Sequence, residues 1–174
     1  VIISDGMGTG GSAAAEGAVA SELMKNFIKS GISFAGGLKL VNSALMLKPK
    51  DEFLTTMDIV SLDLFSGQAK FIKAGSPSTF IVRDNKVFDI NFESLPIGIL
   101  NEVTFSQEIH SLESGDIVLM VSDGATDIGS EWIQKILTSE NYNAVQELPN
   151  LVVNSAVAIR KDAHDDDISA VAFK

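Results

Sequence analysis

The chain opens on a β-branched apolar run, Val1 to Ser4, that stops at Asp5-Gly6, the pattern of a short buried strand. After the glycine-rich stretch Gly6 to Gly11, Ser12 stands in an N-cap position and Glu16 adds acidic charge near the first turn. Val19, Leu23, Phe27 and Ile28 then recur at helical spacing to about Lys29, and Gly31 stops the helix. A second helix is predicted over Phe34 to Leu47, with Leu38, Val41, Leu45 and Met46 as its inward stripe and Pro49 as its end.

From Thr55 the period changes to two. Asp58 to Phe65, Ala69 to Ala74, Thr79 to Arg83 and Lys86 to Asn91 read as successive strands of one antiparallel meander, separated by Ser66-Gly67, Gly75-Ser76-Pro77 and Asp84-Asn85. Val103 to His110 and Asp116 to Ser122 read as a further hairpin about Glu113-Ser114-Gly115. Ser130 is predicted to cap a helix through Leu137. Pro149 opens a last helix to about Lys161 with Leu151, Val152 and Ala156 inward, and Ile168 to Phe173 closes the chain as a strand. Strand, two helices, a block of strands, two helices and a strand is not the alternation of a parallel sheet. It predicts an α+β fold in which antiparallel sheet is covered by helices.

Composition narrows the chemistry. At 174 residues, 45% of them hydrophobic and 21% charged, the chain is expected to be one globular domain. It has no cysteine, which excludes a disulfide scaffold, a zinc-thiolate site, an iron–sulfur cluster and a thiol nucleophile. Twenty-three acidic against thirteen basic residues leave a net charge of −10, with no basic stripe to bind nucleic acid, so cations are the natural small partners. No apolar run spans a bilayer, so this segment is expected to make no membrane contact. A start inside an apolar strand reads as an N-terminally incomplete domain.

One local pattern occurs twice. Val-Ile-Ile-Ser-Asp5-Gly6 is echoed by Leu-Met-Val-Ser-Asp123-Gly124, an apolar strand delivering Ser-Asp-Gly at its end. A buried strand holds its last side chain firmly, and glycine lets a backbone carbonyl approach the same point as the carboxylate. Carboxylate plus carbonyl oxygen suits Mg²⁺ or Mn²⁺, although Asp-Gly after a strand also serves as a plain turn. Asp162-Ala163-His164-Asp165-Asp166-Asp167, just before the last strand, is a second acidic feature, either a solvated loop or a third contribution to such a site. Were the three strands neighbours, Asp5, Asp123 and Asp166 or Asp167 could converge on a common cation.

Other features carry less. Gly6-Met7-Gly8-Thr9-Gly10-Gly11 satisfies G-x-G-x-x-G, but a dinucleotide site needs a second strand ending in an acid about twenty residues on, where this chain is helical. His110 reads as structural or exposed, His164 as a loop residue, and Trp132 and Tyr142 as packing residues. Thr55-Thr56-Met57-Asp58 is strand entry and a weak site candidate.

Ser4-Asp5-Gly6-Met7-Gly8, Thr56-Met57-Asp58, Leu95-Pro96-Ile97-Gly98, Ser122-Asp123-Gly124 and Asp166-Asp167-Ile168-Ser169, in this order, resemble the PPM (protein phosphatase 2C-like) family of metal-dependent phosphatases in its stage II sporulation protein E branch. Each motif alone is weak, but five in order over nearly the whole chain are specific. The resemblance implies a single PPM-type domain over 1–174, an antiparallel β-sandwich with helices on both outer faces (α-β-β-α layers) lacking N-terminal strands. It implies a bacterial, cytoplasmic protein serine/threonine phosphatase acting on a phosphorylated protein, an anti-sigma-factor-antagonist-type regulator. It further implies that Asp5 bridges two Mn²⁺ or Mg²⁺ ions, that the Gly6 carbonyl contacts one, and that Asp123 and Asp166 hold the other. A metal-bridged water would then attack phosphorus without a covalent phosphoenzyme. Met7 stands where several relatives place histidine, and the family's upstream acidic hairpin is not in this sequence. The alternative readings are a catalytically inactive PPM-like binding or signalling domain and, remotely, a dinucleotide-binding enzyme.

Overall fold

The computed structural model describes residues 1–8, 11–47, 54–103, 105–139, 142, 144–160 and 167–174. In chain order the elements are β1 (Ile2–Gly6), α1 (Gly11–Lys29), α2 (Phe34–Met46), β2 (Thr55–Leu62), β3 (Gln68–Ala74), β4 (Thr79–Arg83), β5 (Lys86–Ile90), β6 (Ser106–Ser111), β7 (Ile117–Val121), α3 (Asp123–Thr126), α4 (Glu131–Thr138), α5 (Leu148–Ile159) and β8 (Ala170–Phe173). They form two four-stranded antiparallel sheets with helices against each, the predicted α+β class. Contacts divide the chain into two compact units, one of Val1–Leu62, Ala69–Ser76 and Phe92–His110, the other of Asp63–Gln68, Pro77–Asn91 and Ser111–Lys174.

The first unit holds the sheet β1-β2-β3-β6. Along β2 and β3, side chains alternate between faces. Met57, Ile59, Ile72 and Ala74 join Ala20 and Met24 of α1 and Leu38, Val41 and Leu45 of α2 in one core. Each large side chain fully buried there contributes on the order of 1.5–3 kcal/mol. The buried face of α1 is made of small residues, Ala13, Gly17 and Ala20, with Glu16 and Met24. Val19, expected inward, is 45% exposed, because the helix turns its small residues rather than its β-branched one toward β1. The helix begins at Gly11, so Ser12 lies inside it instead of capping it, and Glu16 is buried rather than a first-turn surface charge. On α2 the cap is Ser33, whose Oγ accepts from the Gly36 N–H.

The second unit holds the sheet β5-β4-β7-β8. Phe80 and Val82 of β4 and Leu119 and Val121 of β7 pack with Ile133 and Leu137 of α4 and Leu148 and Val152 of α5. Trp132 and Tyr142 pack against this core, as expected. Ser130 precedes α4 but makes no side-chain capping bond. The bidentate grip of Arg83 on Asp116, with Nε–Oδ1 at 2.9 Å and Nη2–Oδ2 at 2.6 Å, ties the end of β4 to the start of β7.

Two predicted pairings are corrected. The meander breaks between β3 and β4, which lie in different sheets, so Gly75 to Ser78 is a crossing and not a hairpin turn. Likewise β6 pairs with β3 while β7 lies between β4 and β8, so they are no hairpin. The strand expected to reach Phe65 ends at Leu62, and Leu64 and Phe65 stand exposed in the turn that follows. Pro49, Lys161, His164 and Asp166 fall outside the described residues.

Candidate metal centre

In the first unit Asp5 is the penultimate residue of β1, opposite Thr56 of the antiparallel neighbour. Its backbone is pinned from that neighbour. The Thr55 hydroxyl donates to the Asp5 carbonyl at 2.7 Å and the Thr56 hydroxyl reaches it at 3.4 Å. The Ser4 hydroxyl in turn donates to the Thr56 carbonyl at 3.0 Å. Gly6 is buried under the first turn of α1, and a Cβ there would collide with the Ala13 carbonyl oxygen. No residue but glycine lets strand and helix approach so closely at that point.

Thr55 is itself anchored. It exchanges both backbone hydrogen bonds with Ile97, at 3.1 and 2.8 Å. The following Gly98 N–H donates to Asn42 Oδ1 at 2.9 Å, and Asn42 Nδ2 donates to the carbonyls of Leu100 and Asn101 at 3.0 and 3.3 Å. The Leu95-Pro96-Ile97-Gly98 motif thus joins α2 to the strand that pins Asp5. Two residues along from Thr56 on the same face, Asp58 accepts from Lys73 Nζ at 2.7 Å across β2 and β3, with side chains 1% and 0% exposed. The weak candidate Thr55-Thr56-Met57-Asp58 therefore supports Asp5 through its hydroxyls and carries a buried ion pair.

In the second unit Asp123 follows β7 and opens α3. Strand β8 lies antiparallel beside β7, with Val121 opposite Ala170, so Asp167 and Ser169, just before β8, meet the Ser122-Asp123-Gly124 end. Ser122 stitches the two together. Its N–H donates to the Ser169 carbonyl at 2.9 Å, its hydroxyl to the Asp167 carbonyl at 3.0 Å, and its Oγ accepts from the Ser169 N–H at 2.9 Å. A Cβ on Gly124 would stand 2.5 Å from the Asp167 carbonyl oxygen, so the motif's glycine is again the residue of closest approach. The Gly124 N–H donates to Asp123 Oδ1 at 3.0 Å, which orients that carboxylate.

Of the predicted ligands, Asp5 and Gly6 lie in the first unit and Asp123 in the second, while Asp166 is outside the described residues. The expectation of three strands side by side holds for β7 and β8, but β1 belongs to the other sheet. Among the described residues no group of three or more His, Asp or Glu forms a metal cage. The donors present are hard oxygens at strand ends, which suit Mg²⁺ or Mn²⁺. The dinucleotide reading is overturned, since β1 pairs antiparallel with β2 and, among the described residues, no parallel βαβ unit follows it. His110 is structural: its ring meets Phe71 edge-on at 5.5 Å, and its Nε2 is 2.9 Å from Glu108 Oε2.

Sequence reading missed Glu16, Asn42 and Lys73. For the last two a signal existed, an amide within the stripe Leu38-Val41-Leu45 and a lysine inside the apolar strand Phe71-Ile72-Lys73-Ala74.

The profile of the family described as stage II sporulation protein E matches residues 1–174. The chain is 32% identical over 178 residues to stage II sporulation protein E of Bacillus subtilis (strain 168), covering 99% of this chain and 22% of that one. It is 22% identical over 183 residues to the phosphoserine phosphatase RsbU of the same strain, covering 100% and 55%. Among solved structures, the PP2C phosphatase domain of Bacillus subtilis SpoIIE with a fragment of its regulatory domain superposes with a TM-score of 0.87 at 32% identity, over 98% of this chain and 51% of that one. A manganese-presoaked form of that phosphatase domain matches with a TM-score of 0.62 at 29% identity, over 88% and 70%. The chain spans from about a fifth to about half the length of these curated relatives.

Proposed function

We propose that this chain, which belongs to the stage II sporulation protein E family, is a divalent-metal-dependent protein serine/threonine phosphatase domain. The observation that carries the reading is the paired construction of its two Ser-Asp-Gly strand ends. In each the aspartate sits at a strand terminus, and its glycine is pressed against backbone that a Cβ would strike, that of Ala13 for Gly6 and of Asp167 for Gly124. Such rigidity has little use in an ordinary turn and much in a ligand set.

In this proposal Asp5, the Gly6 carbonyl, Asp123 and Asp166 hold two Mn²⁺ or Mg²⁺ ions, and the 174 residues act as one domain. Two such ions supply a water that is deprotonated near neutral pH and positive charge against the phosphoryl oxygens. The chain's own part is positional. Thr55 and Thr56 fix the Asp5 backbone, the Gly124 N–H fixes the Asp123 carboxylate, and Ser122 holds the Asp167 backbone. The absence of cysteine excludes a thiol phosphoenzyme and agrees with direct hydrolysis by water. The name of the phosphoserine phosphatase relative supports phosphoserine as the group hydrolysed, and the proposal takes its carrier to be a cytoplasmic regulator of the anti-sigma-factor-antagonist kind. Among the described residues no helix is long and apolar enough to cross a membrane.

The test is phosphate release from a phosphoserine protein across a Mn²⁺ titration, with Asp123→Asn in parallel. Metal-dependent release abolished by the substitution is the expected result. Binding of the phosphoprotein without release at any Mn²⁺ concentration would instead mark a non-hydrolysing signalling domain.

A further inference from the structure

Glu16, a carboxylate outside the ligand set named above, is buried in α1. It is 3% exposed; its Oε1 accepts from the Ser12 hydroxyl at 3.1 Å, and its Oε2, also buried, has no hydrogen-bond partner among the described residues. A carboxylate withdrawn from water is unfavourable unless a cation or several donors answer it, and one hydroxyl is a thin answer. The rest of this helix face is Ala13, Gly17, Ala20 and Met24, so packing alone asks for a small or apolar side chain here.

The position of Glu16 supplies a reason for its burial. Side chains on a helix lean toward its N-terminus, so this carboxylate reaches back over the first turn of α1, as its bond to Ser12 records. That turn lies against the end of β1. Ala13 occupies the space above Gly6, and a Cβ at Gly17 would stand 2.7 Å from the Ser4 carbonyl oxygen and 3.1 Å from the Gly6 nitrogen. Glu16 falls between Ala13 and Gly17 on this face, the two residues that pack on the Ser4-to-Gly6 strand end.

We propose that Glu16 is a positioning residue for a hydrated divalent cation at Asp5-Gly6, with its Oε2 as an outer-sphere acceptor. The inference rests on the reading that Asp5 and Gly6 bind such a cation. Mg²⁺ and Mn²⁺ sites retain waters whose protons need acceptors, and losing such an acceptor typically weakens metal affinity about ten- to a hundredfold. Glu16 thus joins α1 electrostatically to the site its first turn covers.

The test measures Mn²⁺ affinity by calorimetry and the metal-free thermal midpoint, on the chain, Asp5→Asn and Glu16→Gln. Asp5→Asn is expected to remove binding. Glu16→Gln should weaken Mn²⁺ binding roughly tenfold or more. Its metal-free midpoint should be equal or higher, since a neutral isostere replaces a buried charge. A Glu16→Gln protein that binds Mn²⁺ within about twofold of the parent overturns the inference while leaving the reading of Asp5 intact. So does one that fails to fold without metal, because the carboxylate is then structural. Absence of Mn²⁺ binding by the parent overturns both.

Discussion

The Thr55 hydroxyl lies 2.7 Å from the Asp5 carbonyl oxygen, and the Thr55 backbone is bonded on its far side to Ile97. One threonine therefore couples the strand end bearing the first aspartate to the Leu95-Pro96-Ile97-Gly98 segment, which Asn42 fastens to α2. Thr55→Val keeps the shape and removes the donor. Its stability loss should be modest, about 1 kcal/mol, as for one hydrogen bond between neutral groups. On the proposed phosphatase reading, Mn²⁺-dependent phosphate release should fall by a larger factor than that energy implies, because the strand end that carries Asp5 loosens. Urea denaturation and Mn²⁺-dependent phosphate release on the same samples check both halves.

Lys73 and Asp58 face each other across β2 and β3 with almost no exposure. Truncating one partner of such a pair takes a counter-ion from the other's buried charge, typically at a cost of about 3–5 kcal/mol, whereas removing both together is often nearly neutral. Lys73→Met should accordingly unfold at much lower urea than the parent, and Asp58→Leu with Lys73→Met should recover most of the loss. A double variant no better than the single would show that Asp58 contributes to stability apart from this lysine.

The elements were legible because their periods are clean: α1, α2 and every strand of the first half stand within a few residues of where the apolar pattern puts them. Strand partnership was not legible. Gly75-Ser76-Pro77 has the composition of a hairpin turn, but here it carries the chain from one sheet to the other, and local sequence is the same in both cases. The site shows the same division. The strand-end placement of Asp5 and Asp123 could be read from Asp-Gly after an apolar run, whereas the supports of Asp5 come from Thr55 and Thr56, about fifty positions along the chain. Glu16 looked like a helix-start charge because nothing local tells that its face packs on β1.

Gly124→Ala should act on the second aspartate without touching it. The added Cβ would meet the Asp167 carbonyl oxygen at 2.5 Å, so the Asp167 backbone must shift. Overpacking of this kind typically destabilises by about 1–3 kcal/mol. Mn²⁺ affinity should drop as well, since the same shift displaces the neighbour that the proposal makes a ligand. Gly11→Ala is the control, because nothing stands within 4 Å of its Cβ. Calorimetric Mn²⁺ titration should separate the two variants clearly.

Acid should loosen the second unit through Asp116. The hydrogen bonds from Arg83 hold its carboxyl below the usual carboxylate range, aided by the Glu113 N–H and opposed by burial. A carboxyl whose folded pKa lies below its unfolded value contributes stability that is fully present above the unfolded pKa. That stability is lost as pH falls through the folded one. The thermal midpoint should therefore hold near neutrality and decline below about pH 4, where an ordinary aspartate begins to take up its proton. Asp116→Asn should lower the midpoint at neutral pH, because the charged partner of Arg83 is gone, and should flatten the acid limb. Differential scanning calorimetry from pH 7 to pH 3 on both proteins decides it. An acid limb of equal slope in the two would assign the acid sensitivity to other carboxylates.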